Sequence, residues 1–555
     1  MRYGVTAQAS AAPTTTSGCD VTDRFNAQTY LVTRNVEEGL GGKVAVRAAE
    51  TTTYAELDEL CGVVAASLRE AGVRSDDRVL LMMSDGLPML AAILGCFRAG
   101  AVAVPVSTMQ TATELGAVLA DSGARLVVCT PEFTEAVEGA LPLAPEVERL
   151  VVAGDATLAV PDAVGQTSWK EFLATGRAAP DGRRAVADTD ADAWALWLYT
   201  SGTTGLPKAA MHRHANIRHV CETYGQQVLG IRPDDVTFSV AKLFFAYGIG
   251  NSLFFPFSVG ATTVLEGRRP TPAIVQERVS TDRPTLFFAV PTFYAALLSG
   301  DLPEDTFASV RLAASAGEAL PGPLLTRFKQ RFGVDIIDGI GSTEALHIFL
   351  SNSPGDIRAG TTGKAVPGYD VVVVGEDGRA LPAGQPGALR VRGDSIALGY
   401  WKRTVASRQV FQGEWLVTGD TYVCDADGYF TCLGRNSDML KSGGIWVSPA
   451  EVESRLIEHP AVREAAVVGV ADEHGIDKPV AVVIAEGVSA EELVAWCREG
   501  LAHFKAPHHV VFVDDLPKTA TGKLQRFKVR ALLVESVVKP SMAETVTGDP
   551  QGAGT

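Results

Sequence analysis

WLYTSGTTGLPKAAMHRH, residues 197–214, is the stretch from which the rest of the chain is read. An apolar strand end, Trp197 to Tyr199, runs into Thr200, Ser201, Gly202, Thr203, Thr204 and Gly205, with Lys208 following after Leu206 and Pro207. Glycines let a backbone approach a phosphate closely. The hydroxyls and free N–H groups supply donors, and the lysine adds positive charge. The loop is not of the Walker A type, because no Gly-Lys-Ser/Thr follows at the required spacing. A Ser/Thr/Gly-rich surface turn is the competing reading. The unbroken run of hydroxyl and glycine residues after a strand, closed by Pro-Lys, favours a phosphate-binding loop.

Outward from this loop the chain alternates strand and helix patterns. VAVR (44–47) reads as a strand, 54–71 as a helix with apolar positions at helical spacing, RVLLMM (78–83) as a buried strand and 87–101 as a helix. AVAVPVS and RLVVCT (125–130) continue the series as strands. This is the signature of an α/β fold with helix-covered, mostly parallel sheets. From about residue 369 the texture changes to short strands separated by Gly/Pro turns, a β-rich subdomain over about 369–434. The turn GRNSD (434–438) reads as a linker. Beyond it, helices at 449–458 and 490–502 and strands at AAVVGVAD, VAVVIAEG and HHVVFVDD compose a small α+β unit. The expected domains are an N-terminal domain over 21–434, a hinge at 435–438 and a C-terminal domain over 439–540, with disordered ends at 1–20 and 541–555.

Composition narrows the function. With 555 residues the chain is too long for a single core. Its net charge of −16 argues against nucleic acid as a main partner, though a few local donors suffice for a nucleotide. No apolar run reaches the ~20 residues of a membrane helix. The eight cysteines are scattered without a C-x-x-C pair, as in a reduced, cytoplasmic protein. Cys424 and Cys432 flank a DADG turn, but neither a zinc set nor an EF-hand loop is complete there.

TSGTTGLPK resembles the signature of the adenylate-forming superfamily, which comprises acyl- and aryl-CoA ligases, stand-alone adenylation domains and beetle luciferases. Further segments resemble that superfamily in its order and spacing: Asp338-Gly339-Ile340-Gly341-Ser342-Thr343-Glu344, Thr418-Gly419-Asp420, Gly434-Arg435, and Pro517-Lys518-Thr519-Ala520-Thr521-Gly522-Lys523. The resemblance covers roughly residues 25–535. It implies that Asp338 belongs to the ATP/AMP site, that Glu344 holds Mg²⁺ against the phosphates and that Thr343 donates to the α-phosphate. It implies that Asp420 accepts the ribose hydroxyls, that Arg435 pairs with ribose or phosphate oxygens, and that Lys523 stabilises charge developing as the acid attacks phosphorus. ATP and CoA are then co-substrates. The resemblance also implies that the small C-terminal domain is mobile, rotating between two half-reactions and turning a face bearing Lys441, Ser442, Gly443 and Gly444 towards a thiol tunnel. Two positions depart from the family: Ser437 at the hinge, where Asp or Lys is usual, and Ala209, where Gly is usual.

One branch fits best. AKLFFAYGIGNSLFFPFSVGAT (241–262), FNAQTYLVTRNVEEG (25–39), STEALHIFLSN (342–352) and DMLKSGGIWVSP (438–449) resemble benzoate-CoA ligases. The acid pocket of that branch falls on Ala246, Tyr247, Phe255, Gly341, His347 and Ile348. Tyr247 and Phe255 supply flat walls for a ring, Gly341 is expected to open a slot, and His347 to hydrogen-bond near the carboxylate. The expected partners are a small aromatic acid, ATP and CoA, with no nucleic acid or membrane, in a monomer or homodimer. Three alternatives stand beside this: an adenylation enzyme that loads a carrier protein, a CoA ligase for a non-benzoate carboxylic acid, and a non-catalytic nucleotide-binding protein that keeps the fold.

Overall fold

A computed structural model describes residues 24–201, 207–435, 440–442, 445–471, 477–501, 505–518 and 524–538. Two helices organise the N-terminal part. Tyr54–Glu70 starts at a capping box, in which Thr53 accepts from the Glu56 N–H while Glu56 reaches back to the Thr53 N–H. Leu87–Ala99 has Pro88 in its first turn and stops at Gly100, which has φ 74°. All its residues from Met89 onward are buried. A helix apolar all round is packed on every side, and this one shares a single core with both large sheets.

The exception on that helix is Arg98, which is buried and pairs with Asp58 at 3.1 Å. Arg98 also donates to Gln28 Oε1 and to the Arg183 carbonyl. Asp58 accepts further bonds from Gln28 and Thr33. The charge is thus paired and hydrogen-bonded, the condition under which an ion is tolerated inside a core.

The first large sheet has seven strands in the order Gly165–Ser168, Arg149–Val152, Leu126–Cys129, Arg78–Met82, Val102–Pro105, Trp194–Ser201 and Pro207–Arg213. All its pairs are parallel except the last. The second has nine, in the order Lys364–Ala365, Ile348–Ser351, Ile336–Gly341, Leu312–Ser315, Leu286–Ala289, Val236–Ser239, Thr262–Val264, Val44–Arg47 and Thr51–Thr53. Its middle is parallel and its ends are antiparallel. VAVR therefore does not join the sheet that follows it in sequence; it pairs with Thr262–Val264 in the second.

The β-rich region is an antiparallel sheet of Asp370–Val374, Pro386–Arg392, Trp415–Cys424, Phe411–Gln412 and Phe430–Arg435. Gly434 and Arg435, expected in a turn, are ladder residues paired with Thr421 and Asp420. The C-terminal unit is built on Val462–Ala471, Asp477–Ala485 and His509–Phe512. Alternation along these strands sends Val467, Ala481 and Val483 into one cluster, and Ala466, Val468, Val480 and Val482 into another on the opposite face. No helix among the described residues is long and apolar enough to cross a membrane.

Candidate active site

Strands Trp194–Ser201 and Pro207–Arg213 form an antiparallel pair with Thr200 opposite Lys208 and Ser201 opposite Pro207. The expected phosphate loop therefore connects the two strands of a hairpin. Gly202, Thr203, Thr204 and Gly205 lie outside the described residues. Residues 398–401 run along the outer edge of this pair: Leu398 N–H donates to Met211, Met211 N–H to Gly399, and Trp401 N–H to Ala209. This places Tyr400 beside Lys208, whose Nζ is 5.5 Å from the centre of the Tyr400 ring. The Tyr400 hydroxyl donates to Glu344 Oε1 at 2.6 Å, and the Ala397 N–H donates to the Glu344 carbonyl at 2.7 Å. Burial and the Glu344 carboxylate push the Tyr400 hydroxyl far above its ordinary range, so it remains a donor.

His212 holds the same segment from below. It is fully buried, and its Nε2 lies 2.8 Å from the Thr343 carbonyl, which can only accept. Nε2 thus carries the proton, and Nδ1 accepts from Asn216 at 3.0 Å. Burial pushes the ring down to about 4, which keeps it neutral. Thr343 and Glu344 are in this way fixed to the strand that leaves the phosphate loop.

Asp338 sits in strand Ile336–Gly341. Its side chain is buried, its Oδ1 finds no hydrogen-bond partner among the described residues, and burial pushes its carboxyl well above the usual range. Asp420 lies directly opposite Arg435 in the antiparallel sheet. The two make an ion pair at 3.0 Å, and Arg435 also donates to the Thr418 carbonyl. Gly419 between them has φ 79°, a conformation that excludes most side chains.

The acid-pocket residues converge. The loop leading to them is tied down by Asp85, a fully buried carboxylate whose two oxygens lie 3.1 and 3.2 Å from the Leu243 N–H. Ala246 opens the helical segment that carries Tyr247 and, further on, Phe255. The Tyr247 hydroxyl donates to the Ala314 carbonyl at 2.9 Å. His347 Nε2 donates to the Tyr247 carbonyl at 3.3 Å, and Phe255 meets the His347 ring edge-on at 4.6 Å. Burial pushes His347 down to about 3, so it too is neutral. Ile348 begins the strand paired with Gly341. A Cβ at Gly341 would lie 2.4 Å from the His347 carbonyl. The space expected to be a slot is filled by backbone: the glycine lets the His347 strand close against it.

Lys441 and Ser442 lie in Leu440–Ser442, where Lys441 pairs with Trp446. Gly443, Gly444, Ser437 and Lys523 lie outside the described residues; Lys518, near the start of the lysine motif, and Leu524, just after it, bridge each other. Sequence reasoning missed four residues that support the site: Tyr400, His212, Tyr224 against His347, and Asp85. Two of them had a local signal, the Gly399-Tyr400 pair and the MHRH after the loop. The others had none.

The chain matches the AMP-binding enzyme family over residues 33–401 and the AMP-binding enzyme C-terminal domain over 451–523. It is 45% identical to the benzoate-CoA ligase of Thauera aromatica, over 92% of this chain and 97% of the relative. It is 39% identical to a 4-hydroxybenzoate-CoA/benzoate-CoA ligase of Rhodopseudomonas palustris, over 92% and 95%. A crystal structure of a benzoate-CoA ligase from Burkholderia xenovorans LB400 superposes with a TM-score of 0.83 at 42% identity, covering 91% of this chain and all of that one. An anthranilate-CoA ligase, AuaEII, in complex with anthranoyl-AMP gives a TM-score of 0.87 at 38% identity, with coverage of 93% and 98%. With its antiparallel pair Trp194–Ser201 and Pro207–Arg213, its Tyr400–Glu344 contact and these matches over most of its length, the chain belongs to the AMP-binding, adenylate-forming enzyme family, within the group of the benzoate-CoA ligases.

Proposed function

We propose that this protein is an ATP-dependent aryl-CoA ligase that activates benzoate or a small substituted benzoate. The observation that carries the reading is the continuity of one segment: Asp338, Thr343 and Glu344 of the nucleotide site run into His347 and Ile348 of the aromatic pocket. Acid and nucleotide are thereby brought together by neighbouring residues.

In the first half-reaction a carboxylate oxygen attacks the α-phosphorus. The new P–O bond forms as the bond to the β-phosphate oxygen breaks, and pyrophosphate leaves. Lys208 and the loop N–H groups neutralise phosphate charge, and Lys523 donates to the reacting carboxylate and α-phosphate. In the second half-reaction the CoA sulfur, losing its proton, attacks the acyl carbon; the C–O bond breaks and AMP leaves. Asp420 holds the ribose, its partner Arg435 pairs with ribose or phosphate oxygens, and Lys441, Ser442, Gly443 and Gly444 shape the thiol path.

The donor set fits Mg²⁺. Among the described residues no three His, Cys, Asp or Glu side chains converge into a cage. Mg²⁺ at nucleotides is held by one or two carboxylates together with substrate phosphates and water, and Glu344 would be the carboxylate here. Bound there, the ion would offset charge on those phosphates. The protein acts in the cytoplasm as a monomer or homodimer, without nucleic acid or membrane.

Incubation with benzoate, ATP, Mg²⁺ and CoA should yield benzoyl-CoA, AMP and pyrophosphate. Pyrophosphate release with no thioester from free CoA, but with transfer to a carrier protein, would replace this reading by the carrier-loading one. No acid-dependent pyrophosphate release with any aryl acid would remove both.

A further inference from the structure

The aromatic cluster around His347 holds more polar atoms than it pairs. The Tyr224 hydroxyl, His347 Nδ1 and both amide atoms of Asn251 are shut off from solvent and make no hydrogen bond of good geometry among the described residues, although Ser351 lies beside the Tyr224 hydroxyl. Tyr224 and Asn251 are 0% exposed and His347 is 2% exposed. His347 spends its Nε2 proton on the Tyr247 carbonyl, which leaves Nδ1 a bare acceptor.

These groups share one neighbourhood. The Tyr224 ring is 5.3 Å from His347 and 5.6 Å from Phe255. Asn251 lies between Tyr247 and Phe255 on their helical segment, next to Gly250, where a Cβ would come within 2.3 Å of the His347 ring. Its amide lies beside the Tyr247 hydroxyl but outside hydrogen-bonding geometry. That hydroxyl is already committed to Ala314.

A buried amide with none of its bonds made is a cost that leucine, of the same branched shape, would remove. Buried polar groups are otherwise satisfied by protein, by water or by a ligand. A bare benzoate ring offers them nothing. A ring hydroxyl both donates and accepts: it can donate to His347 Nδ1 or Asn251 Oδ1 and accept from Tyr224 or Asn251 Nδ2. A ring amino group can donate in the same way.

We propose that Asn251, Tyr224 and His347 Nδ1 form a polar subsite beside the aromatic pocket that binds a hydroxyl or amino substituent on the ring of the acid. The proposal rests on the aryl-acid reading above and adds which substituents are accepted and by which atoms.

The test compares wild type with Asn251→Leu and Tyr224→Phe. For each, kcat/KM is measured with benzoate and with the 2-, 3- and 4-isomers of hydroxybenzoate and aminobenzoate, and the melting temperature is recorded. Wild type should use at least one substituted acid with kcat/KM within tenfold of that for benzoate. The ratio of that value to the benzoate value should fall at least tenfold in Asn251→Leu and at least threefold in Tyr224→Phe, which keeps the ring. Asn251→Leu should melt no lower than wild type, since it removes an unpaired buried amide. Ratios unchanged in both variants would overturn the subsite, as would a wild type that disfavours every substituted acid more than a hundredfold. A wild type that forms no thioester even from benzoate would instead overturn the aryl-acid reading, and the subsite with it.

Discussion

The Tyr400 hydroxyl donates to Glu344 at 2.6 Å, across 56 positions of sequence. The same ring lies under Lys208. One tyrosine thus joins the lysine that follows the phosphate loop to the carboxylate assigned to Mg²⁺. Tyr400→Phe keeps the ring beneath Lys208 but releases Glu344. A hydrogen bond to a charged group contributes about 1.5–3 kcal/mol. Acid-dependent pyrophosphate exchange should therefore fall by about 10- to 100-fold, with a higher Mg²⁺ requirement. A change under about twofold would show that the contact does not set the position of Glu344.

Lys523 lies more than three hundred residues from the loop in sequence. Lys523→Ala should nearly abolish adenylation while ATP still binds, because the role proposed for the lysine is to act on charge that develops only in the transition state. Thioester formation from pre-made benzoyl-AMP should suffer much less. Equal loss in both half-reactions, measured by single turnover, would refute the assignment.

Three neutral histidines give the fold an acid limit. Burial pushes His212 to about 4, and His214 and His347 to about 3, from a usual value of 6.5. The unfolded chain therefore takes up these protons first. Stability is complete above about pH 6.5 and is lost as pH falls from there toward the folded values. Asp85, pushed up to about 6 by burial, works the other way between about pH 6 and its ordinary 3.8. His214 accepts only from the Ala27 N–H at Nδ1, and an asparagine carbonyl can replace that acceptor. In His214→Asn the slope of unfolding free energy below pH 6.5 should fall by one proton, about 1.4 kcal/mol per pH unit. Parallel denaturation profiles for the two proteins between pH 7.5 and 5 would exclude this.

The Arg98–Asp58 pair predicts an asymmetry. Asp58→Ala leaves a guanidinium buried without its carboxylate and should destabilise by about 3–5 kcal/mol. Replacing both partners, Asp58→Leu with Arg98→Met, should recover most of that loss, since no uncompensated charge remains. Thermal or urea denaturation of the single and double variants measures both. A double variant as unstable as Asp58→Ala would mean that packing, not charge, dominates.

Strands and helices were legible wherever periodicity was local. Tyr54–Glu70 and Leu87–Ala99 end within about two residues of their expected limits. So were the contiguous motifs of the family: Thr200–Lys208, Asp338–Glu344 and Thr418–Asp420 each carry their spacing in the chain itself. VAVR was legible as a strand but not in its sheet, because β pairing partners are set by packing rather than by neighbours in sequence. Gly341 was legible within its motif but not in its packing, since only the register with Ile348 shows that backbone occupies the place of its side chain.

What the amino-acid sequence by itself determined is the set of elements and the family its motifs belong to, because periodicity and motif spacing are properties of short stretches. What only the tertiary structure decided is which side chains hold those motifs in place. Tyr400 on Glu344, His212 on Thr343, Asp85 on Leu243 and Tyr224 against His347 are all pairings between distant segments. They exist because the antiparallel edge of the first sheet, the end of the second and the segment 398–401 pack together. A hydrogen bond tolerates only a few tenths of an ångström, so partners of this kind are selected by the packed fold and leave no spacing in the chain to read.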